Sequence, residues 1–280
     1  MNKPLLLPWS KSQFDGVGDV CKAREAELRG TVKIEPTQDF IVRVDGRAFH
    51  TVTRGLKKPF DTDFSDAMGE AARAVLMNLK PHFAYYQSDE ITYVFKGGLS
   101  RGAATYQHPF GGRVDKLLSV IASLTSVAFL EAVRTRGITV GGTMLPHFDA
   151  RLVEITDGGE GSAEAIFYNT MWRENDAVKN AIAMAAQALY SQKQLQGLNT
   201  RAQLDLINGK YDYENMHRPG LRCGTYLRMG TEERELTAFE CGQIPEEFRP
   251  DPGTKFTRST VKEYWATNWS IETRKAALWE

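Results

Sequence analysis

Three short β-prone runs lie in the chain between residues 39 and 95, and the first of them alternates between hydrophobic and polar residues. The alternation from Asp39 to Val44 predicts a strand, with Phe40, Val42 and Val44 on one face and Ile41, Arg43 and Asp45 on the other. Two further β-prone runs, 83–86 and 91–95, are joined by the polar tip Gln87-Ser88-Asp89-Glu90. These runs predict a β-hairpin with Asp89 at its turn.

A spacing of three and four residues between hydrophobic positions marks two strong helices around this hairpin. One stripe comprises Phe64, Met68, Ala72, Val75, Leu76 and Leu79, and Asp61 or Asp63 can cap its helix. The second helix is predicted over 114–135, and a fourth strand over 148–155. The order strand, helix, hairpin, helix, strand is that of α+β ferredoxin-like and polymerase palm folds, an antiparallel sheet with helices on one face.

The rest of the chain is predicted to be mostly helical. Before the first strand lies one helix, 18–28, and after the fourth strand we expect helices at 162–172, 176–192 and 200–207, then a β-rich segment, 224–236, and a Pro/Gly-punctuated tail. We therefore predict a palm core with its N-terminal lead-in over 1–160. A helical extension with a closing β-rich tail, 161–280, is expected to pack with the palm as one unit.

Two acidic signatures, Val44-Asp45-Gly46-Arg47 and Gln87-Ser88-Asp89-Glu90, predict a metal site if their strands are neighbours in one sheet. Asp45 would end the first strand and Asp89 would occupy the hairpin turn, so both carboxylates would reach the same rim. Gly46 lets the backbone turn sharply, and its carbonyl is available as a third oxygen ligand. Hard oxygen ligands on a rigid edge suit Mg²⁺, and a pair of such ions serves phosphoryl or nucleotidyl transfer. Taken alone, each signature is more often a solvated turn.

Several basic residues surround this region. Lys116 stands near the start of the second helix, where it could meet a triphosphate or remain a solvated first-turn lysine. Other basic residues could line the same nucleotide site or form a solvated face, namely Arg47, Arg54, Lys57, Lys58 and Arg113. His50 could contact a nucleotide or be a satisfied structural histidine.

Composition narrows the class of protein. The 280 residues carry no net charge, which argues against a protein that coats nucleic acid by bulk attraction. No apolar run suggests a membrane span, and residues 1–8 do not resemble a secretory signal. Three widely spaced cysteines, Cys21, Cys223 and Cys241, show no metal-ligand spacing and make a reducing cytoplasm the simplest compartment.

Several motifs in the sequence resemble those of one known protein family. The core motifs are Val-Arg-Val-Asp-Gly-Arg-Ala-Phe-His at 42–50, Lys58-Pro59-Phe60-Asp61 and Tyr86-Gln87-Ser88-Asp89-Glu90. They resemble the tRNA-His guanylyltransferase family of 3′–5′ polymerases. The bacterial and phage branch of guanylyltransferase-like proteins is further matched by Gly18-Asp19, Phe110-Gly111-Gly112-Arg113 with Lys116, Phe148-Asp149-Ala150-Arg151, Trp172-Arg173-Glu174-Asn175-Asp176, 180–193 and Phe256-Thr257-Arg258-Ser259.

The resemblance implies roles for individual residues. Asp45, Gly46 and Asp89 would bind two Mg²⁺ ions, with Asp45 and Asp89 as the catalytic carboxylates. The implied nucleotide-binding set adds Arg47, Ala48, Phe49, His50, Lys58, Ser88, Lys116 and Asn180. The reaction implied is nucleotide addition to the 5′ end of tRNA, after activation by ATP or from a 5′-triphosphate, with GTP and ATP as substrates. A cytoplasmic homotetramer is expected.

At two positions the sequence differs from family members in a way that concerns the substrate. Enzymes that add guanosine to tRNA-His carry a His-Ile-Asn-Asn motif where this chain has Val178-Lys179-Asn180-Ala181, and a lysine where it has Cys223. These departures favour template-directed repair of tRNA 5′ ends over non-templated guanosine addition. The other hypotheses are a cyclic-dinucleotide synthase or nucleotide cyclase, whose Gly-Gly-Asp/Glu-Glu-Phe type hairpin is absent, and a non-catalytic nucleotide- or RNA-binding module.

Overall fold

The computed structural model describes residues 11–27, 33–98, 107–141, 145–265 and 269–280. Three sequence-based expectations fall partly outside these ranges. They are the absence of a secretory signal in residues 1–8, the extension of the first helix to Leu28, and a turn at Gly142.

A six-stranded antiparallel sheet forms the centre of the fold. Its order is β4-β1-β3-β2-β5-β6. The strands are β1 (Asp39–Gly46), β2 (Phe83–Gln87), β3 (Glu90–Phe95), β4 (Phe148–Thr156), β5 (Thr225–Glu235) and β6 (Lys255–Tyr264). The first four strands confirm the palm prediction, and β5 confirms the predicted β-rich segment.

Eleven α-helices are assigned in the described residues. The long ones are α1 (Lys11–Glu27), α3 (Thr62–Leu79), α4 (Val114–Thr135), α5 (Glu160–Leu189) and α7 (Thr200–Asn208). The short ones are α2 (Phe49–Val52), α6 (Gln192–Leu195), α8 (Tyr213–Met216), α9 (Pro219–Cys223), α10 (Ala238–Gly242) and α11 (Ile271–Arg274). Shorter 3₁₀ or π segments occupy Pro109–Gly112, Glu246–Phe248 and Lys275–Trp279.

The two palm helices, α3 and α4, lie on one face of the sheet, as predicted. Their apolar stripes pack with Phe40, Val42 and Val44 of β1 in the largest core cluster. The Asp61 side chain caps α3 by accepting a hydrogen bond from the Phe64 N–H at 3.0 Å. The opposite face, which includes Ile41, Phe83 and Val153, is covered by α5 of the extension. Both faces are therefore buried, one by the palm and one by the extension.

The predicted break between helices 162–172 and 176–192 is wrong, because α5 is one continuous helix of 30 residues. The break was expected because Asp176 could cap a second helix. In the structure Arg173, Glu174 and Asn175 are all buried. Charged residues tolerate burial when they are paired, and Glu174 forms a fully buried ion pair with Arg274 of α11.

The Pro/Gly-punctuated tail contains a strand that was not predicted. β6 pairs with β5 along ten consecutive positions, from Tyr226–Tyr264 to Glu235–Lys255. Most residues of β6 are exposed, so the strand lacks the hydrophobic alternation that marks a half-buried strand. Because β5 also pairs with β2, this ribbon extends the palm sheet.

Among the described helices, α4 alone is long and apolar enough by composition to cross a membrane. It packs one face into the core cluster, with Leu117, Ile121 and Phe129 buried against the sheet. The core helix of a globular fold meets the same compositional criteria, so this feature is weak evidence for a membrane span.

The Glu174–Arg274 pair generates a stability prediction. We expect Arg274→Ala to lower the free energy of unfolding by about 3–5 kcal/mol, because it leaves the Glu174 carboxylate buried without its cation. Urea unfolding at fixed protein concentration measures the change. The control is Arg201→Ala in the exposed Arg201–Asp205 pair of α7, for which we expect less than about 1 kcal/mol. Equal effects of the two variants would contradict the prediction.

Candidate active site

The antiparallel pairing of β1 with β3 brings the two acidic signatures together. Asp45 lies directly opposite Glu90 in the register, and the Gly46 N–H donates a hydrogen bond to the Asp89 carbonyl at 3.0 Å. The end of β1 is therefore joined to the hairpin turn by main-chain contacts. The prediction that Asp45 and Asp89 reach one rim of the sheet is confirmed.

Local backbone geometry explains why these residues occupy this rim. The β2–β3 hairpin closes through the two residues Ser88 and Asp89, and Ser88 adopts the left-handed conformation with φ of 46°. Gly46 has a steric requirement, because a Cβ at this position would lie 2.5 Å from the Phe49 ring. Only glycine lets the chain turn this closely over Phe49.

Burial, together with neighbouring acidic side chains, destabilises the ionised forms of Asp45 and Asp89. Burial, followed by the charges of Asp45 and Glu90, raises the pKa of Asp89 to about 6. Burial and the neighbouring Glu90 charge also raise the pKa of Asp45, although Arg151 opposes this shift. Such paired carboxylates attract a cation that neutralises them both.

Basic and acidic residues of β4 complete this end of the sheet. Arg151 places Nη2 3.4 Å from the Asp45 carboxylate and 2.9 Å from that of Asp149. Both β4 residues belong to a motif recognised in the sequence, but no role was predicted for them. The alternation of the Phe148–Arg151 motif puts Asp149 and Arg151 on one face, which is the signal that could have placed them beside Asp45.

Glu90 ties the hairpin turn to α5. Its carboxylate forms an ion pair with the buried Arg173 and accepts a hydrogen bond from Gln87 at 3.1 Å, while the Arg43 guanidinium lies 4.0 Å away. Arg173 also contacts the Asp176 carboxylate at 3.2 Å. The residue next to Asp89 is thereby held in place by groups from the sheet and the extension. These contacts were not predicted.

A pocket opens beside the hairpin turn. It is lined by three of the predicted nucleotide-binding residues, Lys58, Ser88 and Asn180, which come from the loop before α3, the hairpin and α5. Much of the remaining wall is apolar, formed by Leu56, Phe60, Phe64, Met184 and Leu221. Apolar walls with a few polar groups are typical of small-molecule sites.

The residues after Gly46 differ in what they can offer a ligand. Arg47 and His50 are exposed, whereas the Phe49 ring is buried against Phe129 and Phe148. Phe49 can therefore contribute its backbone but not its side chain. Ala48 adopts a left-handed conformation with φ of 56° and precedes the short helix α2. Turns of this kind present successive N–H groups to an anion.

Lys116 does not lie near the two carboxylates, contrary to the sequence-based expectation. It is close to the start of α4, where the preceding Gly112 accepts a hydrogen bond from the Ile34 N–H, ahead of β1. Phe129, which contacts Phe49, is thirteen residues further along α4, or roughly 20 Å at 1.5 Å per residue. Asp45 also faces α5, on the other side of the sheet from α4. A lysine at a helix start looked suitable, but the direction of α4 takes it to the opposite end.

Val178 and Cys223 are both buried in the cluster that includes Ile182 and Ile207. Burial raises the pKa of the Cys223 thiol to about 12, and the thiol donates a hydrogen bond to the Pro219 carbonyl at 3.1 Å. The side chain at position 223 is therefore turned into the core of the protein. Both residues adjoin the pocket wall, since Ala177 and Gly224 line it.

The oxygen donors of the rim match Mg²⁺ better than softer metals. Across the residues that the structure describes, no cluster of three or more His, Cys, Asp or Glu side chains could hold a metal ion. Asp45 and Asp89 instead supply two carboxylates beside the Gly46 carbonyl. Mg²⁺ commonly takes one or two carboxylates and completes its shell with phosphates and water.

Comparisons with known proteins identify a family to which the chain is similar. Residues 21–156 match the family described as tRNAHis guanylyltransferase (Thg1). An uncharacterized protein of Acanthamoeba polyphaga mimivirus is 32% identical over 208 residues, which cover 68% of this chain and 69% of that protein.

Two solved bacterial structures share the fold. A tRNA(His) guanylyltransferase-like protein in complex with ATP is 31% identical, with a TM-score of 0.61 and coverage of 76% of this chain and 88% of that one. A second such protein, in complex with GTP, is 25% identical, with a TM-score of 0.60 and coverage of 95% and 98%. Both relatives bind a nucleoside triphosphate.

The raised pKa of Asp89 predicts how stability depends on pH without divalent cations. In the unfolded chain the Asp89 carboxyl group loses its proton near the ordinary aspartate pKa of 3.8, but in the folded protein it does so only near a pKa of about 6. The free energy of unfolding therefore falls as the pH rises from about 4 to about 6, because ionisation of Asp89 is less favourable in the folded protein. Asp89→Asn is therefore expected to raise the free energy of unfolding near pH 7 and to change it little near pH 4.

Urea unfolding in a chelator over this pH range measures the difference between variant and parent. Asp205→Asn, at an exposed position of α7, is the control and should show no such trend. Added Mg²⁺ is expected to stabilise the parent more than Asp89→Asn. A difference that is the same at every pH would contradict the assigned environment of Asp89.

Proposed function

Because the chain belongs to the tRNAHis guanylyltransferase family, we propose that it adds nucleotides to the 5′ end of tRNA by a two-Mg²⁺ mechanism. The chain is a tRNA-His guanylyltransferase-like nucleotidyltransferase. The observation that carries the proposal is the juxtaposition of Asp45–Gly46 and Asp89 beside a pocket lined by Lys58, Ser88 and Asn180.

The rim carboxylates have the properties that metal ligands need. In this proposal Asp45, Asp89 and the Gly46 carbonyl hold two Mg²⁺ ions, which when bound neutralise triphosphate charge and favour ionisation of an attacking hydroxyl. The chain contributes rigidity, since β1 and β3 fix the two acidic residues on neighbouring strands. Arg173, through Glu90, prevents the turn that carries Asp89 from moving away.

The adjoining pocket is the proposed nucleotide site. Its apolar wall suits a nucleobase, and Ser88 and Asn180 can hydrogen-bond to polar groups of the nucleoside. In this proposal Lys58 and the exposed Arg47 side chain would meet phosphate oxygens, and N–H groups after Arg47 would add neutral donors. The Arg47 N–H itself donates to the His147 carbonyl at 3.0 Å. ATP and GTP are the substrates that this arrangement would take.

The proposed reaction has two stages. In the first, an oxygen of the RNA 5′-phosphate forms a bond to the α-phosphorus of ATP and pyrophosphate leaves, which produces an adenylylated 5′ end. An RNA that already carries a 5′-triphosphate does not need this stage. The 3′-oxygen of the incoming nucleotide then forms a bond to the 5′-phosphorus. The bond to the leaving AMP or pyrophosphate breaks, and the hydroxyl proton passes to solvent or a nearby base. The RNA therefore grows at its 5′ end.

For the natural reaction we propose template-directed repair of truncated tRNA. Val178 and Cys223 stand behind the pocket wall where guanosine-adding enzymes have a histidine and a lysine. The smaller, uncharged side chains remove groups that could impose a preference for one nucleotide. Base pairing with the opposing tRNA strand would then choose the nucleotide.

The remaining parts of the proposal concern assembly and compartment. We expect a homo-oligomer, with a tetramer as the specific prediction, because several copies would offer a tRNA a larger binding surface. A cytoplasmic location is our expectation, because the three cysteines are widely spaced along the chain and all buried.

We predict that Asp45→Ala and Asp89→Ala each abolish Mg²⁺-dependent incorporation of labelled GTP into RNA while preserving the fold. Each side chain lies at a strand end or turn, where truncation opens no core cavity. Circular dichroism and urea unfolding check the fold, and Asp205→Ala serves as a control with unchanged activity. Activity within about tenfold of the parent, only about 1.4 kcal/mol in barrier, would contradict the metal assignment.

A second prediction concerns substrate choice. A 5′-truncated tRNA should be extended by whichever nucleotide pairs with the opposing base, and full-length tRNA-His should be a poorer substrate. The measurement is single-nucleotide addition with each of the four triphosphates on both RNAs, repeated with the opposing base changed. Equal or better guanosine addition to full-length tRNA-His, independent of that base, would support the guanylyltransferase alternative.

A further inference from the structure

Glu90 is a third acidic side chain beside the proposed metal ligands. It follows Asp89 directly in the chain and lies opposite Asp45 in the β1–β3 register. Residues directly opposite each other in an antiparallel pair lie on the same face of the sheet, with Cβ atoms about 5 Å apart. A glutamate at this position has the reach of a further carboxylate ligand, but the mechanism proposed above assigns it no such role.

The contacts of the Glu90 carboxylate point inward from the rim. Its Oε2 atom forms an ion pair with Arg173 of α5 and accepts a hydrogen bond from the Gln87 side chain at 3.1 Å. Its Oε1 atom lies 4.0 Å from Nε of Arg43. Arg43 is on the same face of β1 as Asp45 but two residues further from the strand end. These groups therefore hold the carboxylate back from the strand end that carries Asp45.

Arg173 is the main partner that keeps Glu90 in this position. The side chain of Arg173 is 10% exposed and that of Glu90 is 17% exposed, so neither charge is freely hydrated. A buried charge is costly unless it is paired, so each of the two stabilises the other in place. A second ion pair, from Arg173 to Asp176 on the same helix, anchors the guanidinium group. Without Arg173, the Glu90 side chain would be able to rotate toward the rim.

The number of carboxylates at the rim affects which cation the rim favours. Mg²⁺ demands near-octahedral geometry and usually takes one or two carboxylates, with phosphates and water in the other positions. Ca²⁺ takes roughly six to eight oxygen ligands in a flexible arrangement, so it accepts an additional carboxylate more readily. A third carboxylate would also compete with phosphate oxygens for coordination positions.

We propose that Arg173 is a positioning residue that withholds Glu90 from the metal ions and so keeps the rim a two-carboxylate site that favours Mg²⁺ over Ca²⁺. The inference rests on the proposed function, because it assumes that Asp45 and Asp89 bind the metal. It assigns to a residue of the helical extension the control of ligand number at the palm.

The first test measures metal binding by the full chain without RNA or nucleotide. Isothermal titration calorimetry with Mg²⁺ and with Ca²⁺ gives the ratio of the two affinities. Arg173→Met should increase the affinity for Ca²⁺ about tenfold more than that for Mg²⁺, because Glu90 can then join the site. Loss of a positive charge alone would strengthen the binding of both divalent ions alike. The ratio therefore separates an added ligand from a change in net charge.

Matched variants show whether the effect passes through Glu90. Arg173→Met combined with Glu90→Met replaces the ion pair with apolar side chains and should return the ratio to the parent's value. Arg173→Lys keeps the charge and should also stay close to the parent. Arg201→Met, the same substitution in an exposed ion pair of α7, is the control and should leave the ratio unchanged. Should Arg173→Met fail to fold, Arg173→Gln should shift the ratio in the same direction.

Bound water gives a spectroscopic readout that does not depend on affinity. The luminescence decay of Tb³⁺ in H₂O and in D₂O counts the water molecules on a lanthanide that takes the place of Ca²⁺. Arg173→Met should show about one or two fewer bound waters than the parent, since a carboxylate coordinates through one or two oxygens. The double variant with Glu90→Met should show the parent's number. If Arg173 only stiffened the hairpin turn, its loss would weaken the binding of both ions and would not remove water.

Three results would overturn the proposal. They are a Ca²⁺ to Mg²⁺ ratio that stays unchanged in Arg173→Met, a changed ratio that persists when Glu90→Met is added, and a lack of binding of either ion to parent and variants. Failure of the proposed function is seen in a different measurement. A parent protein that binds Mg²⁺ but does not incorporate GTP into RNA would contradict the reaction, and the metal ratio would still test the role of Arg173.

Discussion

The pairing of β1 with β3 is the constraint on which the candidate active site depends. It holds Asp45 opposite Glu90 and joins the Gly46 N–H to the Asp89 carbonyl, so acidic groups are kept close although they repel one another. Main-chain hydrogen bonds and a buried sheet resist that repulsion. The result is a pair of carboxyl groups whose raised pKa values favour a cation as their neutralising partner.

Helix α5 joins this rim to the rest of the molecule. At one position Arg173 holds Glu90, and at the next Glu174 forms its buried pair with Arg274 near the end of the chain. Further along the same helix, Asn180 reaches the pocket. The helical extension is therefore part of the site, because it fixes the hairpin turn and supplies one pocket wall.

Helix α4 shows how packing decides where a residue lies. Its buried stripe, with Leu117, Ile121 and Phe129, packs against the sheet. The direction of the helix takes Lys116 to the end of the palm opposite the carboxylates. The position of this lysine follows from packing, since only the crossing of helix and sheet determines which end of α4 meets Phe49.

The sequence by itself determined the palm. Alternation defined β1, β-propensity defined β2, β3 and β4, and helical spacing defined α3 and α4. The Asp-Gly and Ser-Asp-Glu tips identified the two strand ends that meet. All of these signals are local in the sequence. Only the tertiary structure decided that α5 continues through the polar run at 173–175, because the ion partners of Arg173 and Glu174 are distant in sequence. It alone also revealed β6, whose exposed residues carry no hydrophobic alternation, and the places of Arg151 and Lys116, which depend on strand neighbours and helix direction. Contacts between distant segments leave no periodic signal in the chain, so they are decided only when the segments pack.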